Sequence, residues 1–277
     1  MTENFSLEKR MFDSSAISDY QGCPKLFYYR WVKRLEAKEE KPSLVFGKVF
    51  HDVLLNWYKT GKADEAIKEF SKLPTMMTDD HRTKEWGEAI FKQYVERYKT
   101  EQGKTLYLEK KFVIEIGEKL YAGRIDRIED WNGQVYVDDH KTTSSLGLSF
   151  FNNYRPHPQI DGYCYACREV VGKCAGAIIN GISVAKNPKE RFQRFPSSRT
   201  DAELDQFAEV FEDWTDDIER DVECGHFAKN TSYCNRWGKC RFWNLCVYGE
   251  DERYIEQNYK VEEVKNGQSE SDKDNSV

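Results

Sequence analysis

The chain has 277 residues, of which 39% are hydrophobic and 32% are charged, and its formal net charge is −6 with a pI near 5.6. This length favours one core with an added helical lobe over two full domains. The acidic balance excludes the global basic field of a typical DNA-binding protein, so any contact with nucleic acid must be local. Eight cysteines, with no secretory signal and no long apolar run, indicate a reducing, cytoplasmic protein without a membrane span, in which metal binding is favoured over disulfides.

The amino-terminal part of the chain is predicted to be helical. Residues 14–33 and 44–60 have helical patterns, as do parts of 63–73 and 84–100, and the breaks fall at Pro42, Gly61 and Pro74. In the second helix, Leu44, His51 and Leu55 share one stripe, which predicts an inward-facing His51. A core histidine bonded to backbone and a metal ligand both fit that position.

Three strands are predicted next, over residues 106–116, 119–129 and 134–141, and Asn132-Gly133 is a strong hairpin signal between the last two. We expect an antiparallel meander. Side chains alternate between the faces of a strand, so Asp139 and Lys141 share the inward face with Val137. Asp138 points to the other face and is expected to be a bystander, either solvated or behind the site.

The middle strand carries Asp126, which the same alternation turns toward apolar neighbours. An unpaired carboxylate there is costly, and a metal ion or a cation would compensate it. Two carboxylates and the Lys141 ammonium form a set suited to metal-dependent phosphodiester cleavage. The alternative is structural: a salt bridge at the strand end, or pairing of Asp126 with Arg124 or Arg127.

A helix running to about residue 171 begins near Gln159, and a buried strand is predicted over residues 175–184. Gln159 and Tyr163 are four residues apart and therefore share a helix face. They could hydrogen-bond a phosphate or Lys141, or could be ordinary surface and core residues. The predicted core order is therefore helix, three strands, helix, strand.

The segment 186–199 carries five cations and one acid, interleaved with Phe192 and Phe195. Arginines of such a segment can contact phosphates and its rings can stack on bases, and an ordinary solvated hairpin is the alternative. A further helix is predicted from Thr200 to about Asp221, and the polar residues 265–277 are predicted to be a disordered tail.

Three late cysteines are evenly spaced, and one early cysteine could complete a four-thiolate site. These are Cys234, Cys240 and Cys246, with Cys23 as the fourth candidate. Four thiolates suit either zinc or an iron-sulfur cluster, and spacing does not decide between them. The remaining cysteines are expected to be buried thiols that act as small hydrophobes, namely Cys164, Cys167, Cys174 and Cys224.

The order of the candidate residues, from about Ser14 to Cys246, resembles the RecB-like branch of the PD-(D/E)XK nuclease superfamily. The resemblance implies an α/β, restriction-endonuclease-like fold with an αβββαβ core. It implies that the catalytic residues are Asp126, Asp139 and Lys141, with Lys141 positioning the attacking water. It further implies that Mg²⁺ or Mn²⁺ is bound by His51, Asp126, Asp139 and the backbone carbonyl of His140, and that Gln159 and Tyr163 support the site and the nucleic-acid backbone.

The split cysteine arrangement is similar to that of the iron-sulfur members of this branch, the AddB-type nuclease domains and the CRISPR-associated spacer-acquisition exonucleases. There a 4Fe-4S cluster ties the two chain ends together, and the late cysteines usually read C-x2-C-x5-C. Here they read C-x5-C-x5-C, so Cys240 and Cys246 match the pattern more closely than Cys234 does. The resemblance therefore favours a cluster on Cys23, Cys234, Cys240 and Cys246, with zinc as the alternative.

These inferences combine into one functional hypothesis, a metal-dependent DNA nuclease acting on single-stranded or end-containing DNA, with an exonuclease favoured over an endonuclease. Water activated by Mg²⁺ or Mn²⁺ would hydrolyse the phosphodiester bond. Recombination, repair or CRISPR adaptation complexes are the partners that the resemblance implies. The alternatives are a non-catalytic DNA-binding or assembly subunit, and an iron-sulfur or zinc regulatory protein with structural carboxylates.

The expected domain organisation places the nuclease domain over residues 14–264, after an extension of residues 1–13. Within it we expect a helical lobe over about 44–104, a catalytic core over about 105–200, and a cysteine region formed by Cys23 and residues 234–246.

Overall fold

A computed structural model describes residues 6–74, 79–100, 103–236 and 238–262 of the chain. They form two compact units. The first comprises the described residues within Met1–Glu39, Phe112–Gly123 and Asp205–Ser271, and the second comprises those within Glu40–Lys111 and Arg124–Leu204. The predicted disordered tail, 265–277, lies outside the described residues.

The helices and strands largely follow the predicted order. The α-helices are α1 (Ser14–Gly22), α2 (Pro24–Phe27), α3 (Pro42–Thr60), α4 (Ala63–Ala66), α5 (Lys84–Tyr98), α6 (Leu148–Phe151), α7 (Pro158–Val171), α8 (Asp201–Cys224), α9 (Trp243–Tyr248) and α10 (Glu252–Asn258). The strands are β1 (Met11–Phe12), β2 (Leu35–Ala37), β3 (Lys104–Ile116), β4 (Lys119–Trp131), β5 (Gln134–Thr143), β6 (Gly176–Ser183), β7 (Phe192–Ser198) and β8 (Tyr259–Val261). Within the described ranges, none of the helices combines the length and the apolar character that a membrane crossing requires.

The second unit is built on a mixed sheet. In it β4 pairs antiparallel with β5, β5 pairs parallel with β6, and β6 pairs antiparallel with β7, while β3 also pairs with β4. The chain order α3, β3, β4, β5, α7, β6 confirms the predicted order of helix, three strands, helix and strand. The protein therefore has a mixed α/β fold around a central sheet, consistent with the expected nuclease core.

The turn between β4 and β5 confirms the hairpin signal. Asn132 has a φ of 54° and Gly133 a φ of 83°, so both central residues adopt the left-handed conformation that a type I′ turn requires. The Gly133 amide donates to Asp130 Oδ1 at 2.7 Å, which fixes the turn. This turn sets the register that pairs Arg127 with Asp138.

Helix α3 packs a different stripe from the one predicted. Its buried apolar side chains are Phe46, Val49, Phe50, Val53 and Leu54. Leu44, which was expected on the inward stripe, is 44% exposed, because the larger rings of Phe46 and Phe50 turn their side of the helix toward Phe70. His51 therefore lies at the edge of the buried face and not at its centre.

The predicted helix over residues 14–33 is broken at Cys23 in the first unit. Cys23 is extended, with a φ of −165°, since the following Pro24 disfavours the helical conformation in the residue before it. Pro24 then begins α2, and a π-helix follows over Tyr28–Val32. The break places the Cys23 thiol at a helix junction.

In the first unit, early and late parts of the chain pack together. Strand β2 pairs antiparallel with β8, and the Lys25 amide donates to the Ala228 carbonyl at 3.0 Å. A small core joins them, formed by Tyr29, Leu35, Phe242, Leu245 and Tyr259.

The cysteines outside the four-thiol set behave mostly as predicted. Cys164 and Cys167 are fully buried on α7, which confirms that they pack, and Cys174 is half-buried. Cys224 is exposed, so the expectation of a buried thiol is wrong there, because the residue is the last of α8.

Candidate active site

The predicted site residues meet in the second unit, carried by four elements. His51 is on α3, Asp126 on β4, Asp139 and Lys141 on β5, and Gln159 on α7. Asp126 and Asp139 are the direct neighbours of Arg127 and Asp138, which pair across β4 and β5.

His51 bridges the two strands of this site. Its Nδ1 lies 3.2 Å from Asp126 Oδ2, and its Nε2 donates to the backbone carbonyl of His140 at 2.6 Å. The His140 amide in turn donates to Asp126 Oδ2 at 3.3 Å. The backbone hydrogen bond of one of the two interpretations of His51 is thus present, and its role as a metal ligand stays a prediction. The His140 carbonyl is the one that the family resemblance assigned to the metal.

Lys141 is held from two sides. Its Nζ lies 2.9 Å from Asp139 Oδ1 and 2.7 Å from Oδ2, and it donates to Gln159 Oε1 at 3.4 Å. Gln159 Nε2 donates to the Tyr163 hydroxyl at 3.2 Å, so the four side chains form one connected row. The expectation that Gln159 bonds Lys141 is confirmed, and Tyr163 acts on the lysine through Gln159.

The charges of the site are mutually dependent. Burial lowers the pKa of Lys141, but Asp139 and Asp126 more than offset this, so its pKa is raised and the ammonium stays charged. Burial likewise opposes the charge on His51, and Asp126 reverses the effect, so the pKa of His51 is raised. The pKa of Asp126 is lowered because His51 outweighs its burial, whereas burial dominates at Asp139 and raises its pKa.

The prediction that Asp138 could be solvated is wrong, because its side chain is fully buried. Its Oδ2 accepts from Arg127 at 2.9 Å, and Arg127 also lies 2.9 Å from Glu129. The Arg127 guanidinium is 4.3 Å from the centre of the Tyr58 ring. Residues on both faces of β5 are therefore buried, and burial raises the pKa of both Asp138 and Glu129. Alternation alone could not reveal this, since it only distinguishes the two faces.

Of the structural alternatives, the salt bridge at the strand end is present, since Lys141 lies 2.7 Å from Asp139, whereas Arg124 and Arg127 pair with residues other than Asp126. Arg127 takes Asp138 and Glu129 as partners, and Arg124 pairs with Glu109 at 2.7 Å. Asp126 instead contacts His51, so its compensating cation is a histidine.

A buried polar chain behind His140 was not predicted. The His140 ring stacks on Tyr58 with centroids 5.7 Å apart, and its Nδ1 accepts from Asn180 Nδ2 at 2.9 Å. Asn180 also bonds the Tyr94 hydroxyl at 2.5 Å. Burial lowers the pKa of His140 to about 3, so the ring is neutral. Asn180, which lies inside a predicted apolar strand, was the sequence signal for this series of hydrogen-bonded side chains.

The donor set fits a hard divalent cation by its chemistry, which combines two carboxylates, an imidazole and a carbonyl oxygen. In the described part of the chain, no three His, Cys, Asp or Glu side chains are arranged to hold a metal ion as they stand. The carboxylates instead contact His51 and Lys141, while the buried Asp139 Oδ2 makes no hydrogen bond of good geometry. A cation would therefore displace existing partners, and the assignment of these residues as metal ligands stays a prediction.

The four candidate cluster cysteines are brought together in the first unit. They line one cavity of about 330 Å³, together with Tyr233, Phe242 and Trp243. The Cys23 thiol accepts from the Asn230 amide at 3.3 Å, and the Cys240 amide donates to the Cys234 carbonyl at 2.8 Å. Burial, and to a lesser extent the neighbouring thiols, raises the pKa of Cys240 and of Cys246.

Comparison with solved structures shows a fold similar to that of a protein from Eubacterium rectale named "Putative exonuclease". The TM-score is 0.58 and the sequence identity is 16%, over 90% of this chain and 92% of that chain. A second solved structure, named SSO0001, gives a TM-score of 0.33 and 15% identity over 78% of this chain and 91% of that one, and it carries no argument about the fold. No curated protein matches this chain.

The sequence profile described as the PD-(D/E)XK nuclease superfamily matches residues 14–247. This range contains every predicted site residue and all four candidate cluster cysteines. The protein belongs to the PD-(D/E)XK nuclease superfamily.

Proposed function

We propose that this protein is a divalent-cation-dependent deoxyribonuclease that hydrolyses DNA from its ends and carries a 4Fe-4S cluster on four cysteines. Membership of the superfamily supports the nuclease activity. The observation that carries the proposal is the convergence of Asp126, Asp139 and Lys141 with His51 on three elements of the second unit. The buried Asp139 pairs with the half-buried Lys141, and the half-buried Asp126 pairs with His51, and such a gathering of partly desolvated charged groups is typical of catalytic sites.

Mg²⁺ or Mn²⁺, held by Asp126, Asp139, His51 and the His140 carbonyl, would activate a water molecule and neutralise charge on the scissile phosphate. Lys141 stays protonated beside Asp139, so its Nζ can donate hydrogen bonds to the attacking water or to a phosphate oxygen. Gln159 accepts from Nζ and is itself held by Tyr163, which fixes the direction of the ammonium. In-line attack on phosphorus breaks the bond to the 3′-oxygen and leaves a 5′-phosphate.

The preference for DNA ends is the finer part of the proposal. The name of the Eubacterium rectale protein, which has a similar fold, supports an exonuclease over an endonuclease.

The four cysteines line one cavity in the first unit, which supports a cofactor bound by their thiolates. The split arrangement of one early and three late cysteines favours a cluster over zinc through its resemblance to the iron-sulfur nucleases, and four thiolates suit either group. An iron-sulfur cluster held by Cys23, Cys234, Cys240 and Cys246 would link the early and late segments of the first unit.

The nuclease proposal is tested with end-labelled linear DNA and circular single-stranded DNA, with and without Mn²⁺. We expect Mn²⁺-dependent cleavage of the linear strand alone, lost in Asp139→Asn and retained in Asp213→Asn, an exposed aspartate on α8. Equal cleavage of circles would contradict the exonuclease. Intact DNA under every cation would contradict the nuclease altogether.

The cluster proposal is tested separately on anaerobically purified protein. We expect brown protein with about four iron and four sulfide per chain, and loss of both in Cys246→Ser but not in Cys224→Ser. Stoichiometric zinc without sulfide would assign the site to zinc and leave the nuclease proposal unaffected.

A further inference from the structure

A pocket of about 600 Å³ lies in the second unit, apart from the carboxylate site. It is formed by the end of α5, the end of β4 and the start of β7. Among its lining residues are Arg97, Tyr98, Trp131, Phe192, Gln193 and Arg194. Its volume falls within the roughly 300–1,000 Å³ typical of small-ligand sites.

The walls of the pocket combine aromatic rings with guanidinium groups. The Tyr98 and Phe192 rings lie 6.2 Å apart at 64°, and Trp131 is half-buried on the β4 side. The guanidinium of Arg194 is 4.1 Å from the centre of the Tyr98 ring and that of Arg97 is 5.3 Å away. Rings and arginines together are the groups on which single-stranded nucleic acid stacks and binds its phosphates.

Arg194 is held in place by buried hydroxyl groups. It donates to the Tyr58 hydroxyl at 2.8 Å and to the Tyr94 hydroxyl at 3.0 Å. Tyr94 belongs to the chain that continues through Asn180 to His140, whose carbonyl contacts His51. Side-chain hydrogen bonds therefore link the pocket to the His140 ring, and the backbone carbonyl of His140 contacts His51 of the candidate active site.

The structure also shows which parts of the basic segment 186–199 are available. Arg191 is used internally, since it donates to the carbonyls of Ser183 and Ala185. Arg199 pairs with Asp161 at 2.6 Å, and Phe195 stacks on Phe151 with centroids 4.9 Å apart.

Phe192, Gln193 and Arg194 of that segment line the pocket, and Arg194 is anchored there by the Tyr58 and Tyr94 hydroxyls. Arg97, which is exposed, adds a second guanidinium, and Glu190 is an acid in the lining. Among the described lining residues, two cations stand against one acid, although the protein as a whole is acidic.

We infer that this pocket binds a nucleobase of the DNA strand together with the adjacent phosphate. The base stacks on Trp131 and Phe192, Arg97 contacts the phosphate, and Gln193 hydrogen-bonds the base edge. The inference rests on the proposed function, because the strand that occupies the pocket is the nuclease substrate. The pocket acts as a holding site for a nucleotide that is not the one being cleaved.

The test measures binding of a fluorescein-labelled ten-nucleotide thymidine strand by anisotropy, with EDTA present so that no cleavage occurs. We expect Trp131→Ala to raise the Kd about 5- to 100-fold, because it removes base stacking. Trp131→Phe should restore most of the affinity, and Arg97→Ala should weaken binding at least about fivefold. Arg220→Ala, an exposed arginine on α8, is the matched control.

A Kd within twofold of the wild-type value for both Trp131→Ala and Arg97→Ala would overturn the inference. Arg97 is exposed, so its variant tests the pocket even where Trp131→Ala does not fold. Thymidine monophosphate is used as a competitor. We expect it to displace the labelled strand only at concentrations far above the Kd of the strand. Equal affinity for the mononucleotide would instead assign the pocket to a free nucleotide. Binding is measured without a cation and needs no cleavage. If the cleavage assays contradict the nuclease proposal, the anisotropy measurement still tests whether the pocket binds a DNA strand.

Discussion

The Nε2 atom of His51 lies 2.6 Å from the carbonyl oxygen of His140, although 89 residues separate them in the chain. This contact fixes α3 against β5 at the strand residue that lies between Asp139 and Lys141. It also occupies a carbonyl oxygen that a metal ion would use. His51 is therefore both a positioning group and a candidate ligand, and these roles are separable by experiment.

Replacing His51 by alanine should reduce cleavage at least about tenfold. The substitution removes a candidate ligand and the contact to His140, so the Mn²⁺ concentration for half-maximal rate should rise as well. Initial rates across a Mn²⁺ titration measure both effects, and His81→Ala, an exposed histidine, is the control. A fall in rate with an unchanged Mn²⁺ requirement would contradict metal binding by His51 and leave the positioning role.

Replacing Lys141 by methionine should reduce the cleavage rate about 100-fold or more. It also leaves Asp139 buried without its ammonium, so the variant should be less stable. Mg²⁺ should raise the Tm of Lys141→Met by more than it raises that of the wild type, because the ion replaces the missing charge. Thermal unfolding with and without Mg²⁺ measures this, with Lys68→Met, an exposed lysine, for comparison. Cleavage within threefold of the wild-type rate would remove Lys141 from the mechanism.

Asp13 should make the first unit less stable as pH rises from about 4 to 6. It is the N-cap of α1 and is 8% exposed, and burial raises its pKa to about 6. The folded state then holds the proton more tightly than the unfolded state, so the free energy of unfolding falls across this window, by up to about 3 kcal/mol. Asp13→Asn keeps the cap and removes the charge. The difference between the two proteins in urea unfolding should grow with pH and level off above about 6, and a constant difference would refute the assignment.

Replacing Gly22 by alanine should destabilise the first unit by about 1–3 kcal/mol. An added Cβ would lie 2.5 Å from the Tyr233 ring, which lines the cysteine cavity. The double variant Gly22→Ala with Tyr233→Ala should be no less stable than Tyr233→Ala alone, because the clash is gone. Urea unfolding of the four proteins gives the coupling energy. Additive effects would show that the ring moves aside without cost.

The sequence was sufficient to predict the elements that carry the chemistry, because their signals are local. Asn132-Gly133 requires a tight turn, and alternation orders Asp139 and Lys141 on one face of β5. What could not be predicted depends on contacts distant in the chain. Asp138 is buried because Arg127 supplies its charge partner, and nothing near Asp138 in the sequence says that the outer face of β5 is covered.

The pocket beside β7 was hidden for a similar reason. The sequence of segment 186–199 identifies its cations and rings, but it does not tell which of them are bonded within the protein. Arg191, Arg194 and Arg199 all bond internal oxygens, so only the contact pattern shows that Phe192 and Gln193 line the pocket beside Arg194.

The pairing of early and late segments in the first unit has a consequence for biosynthesis. Cys23 and its contact Ala228 are 205 residues apart, and β2 meets its partner only when β8 has been made. During translation the early residues of the first unit therefore lack the late residues that complete their core. Nearly all of the second unit emerges from the ribosome, and can fold, before those late residues are made. A nascent chain halted before Tyr259 would have made the core strands of the second unit but would lack the partner of β2, so completion of the first unit is one of the last events in making this protein.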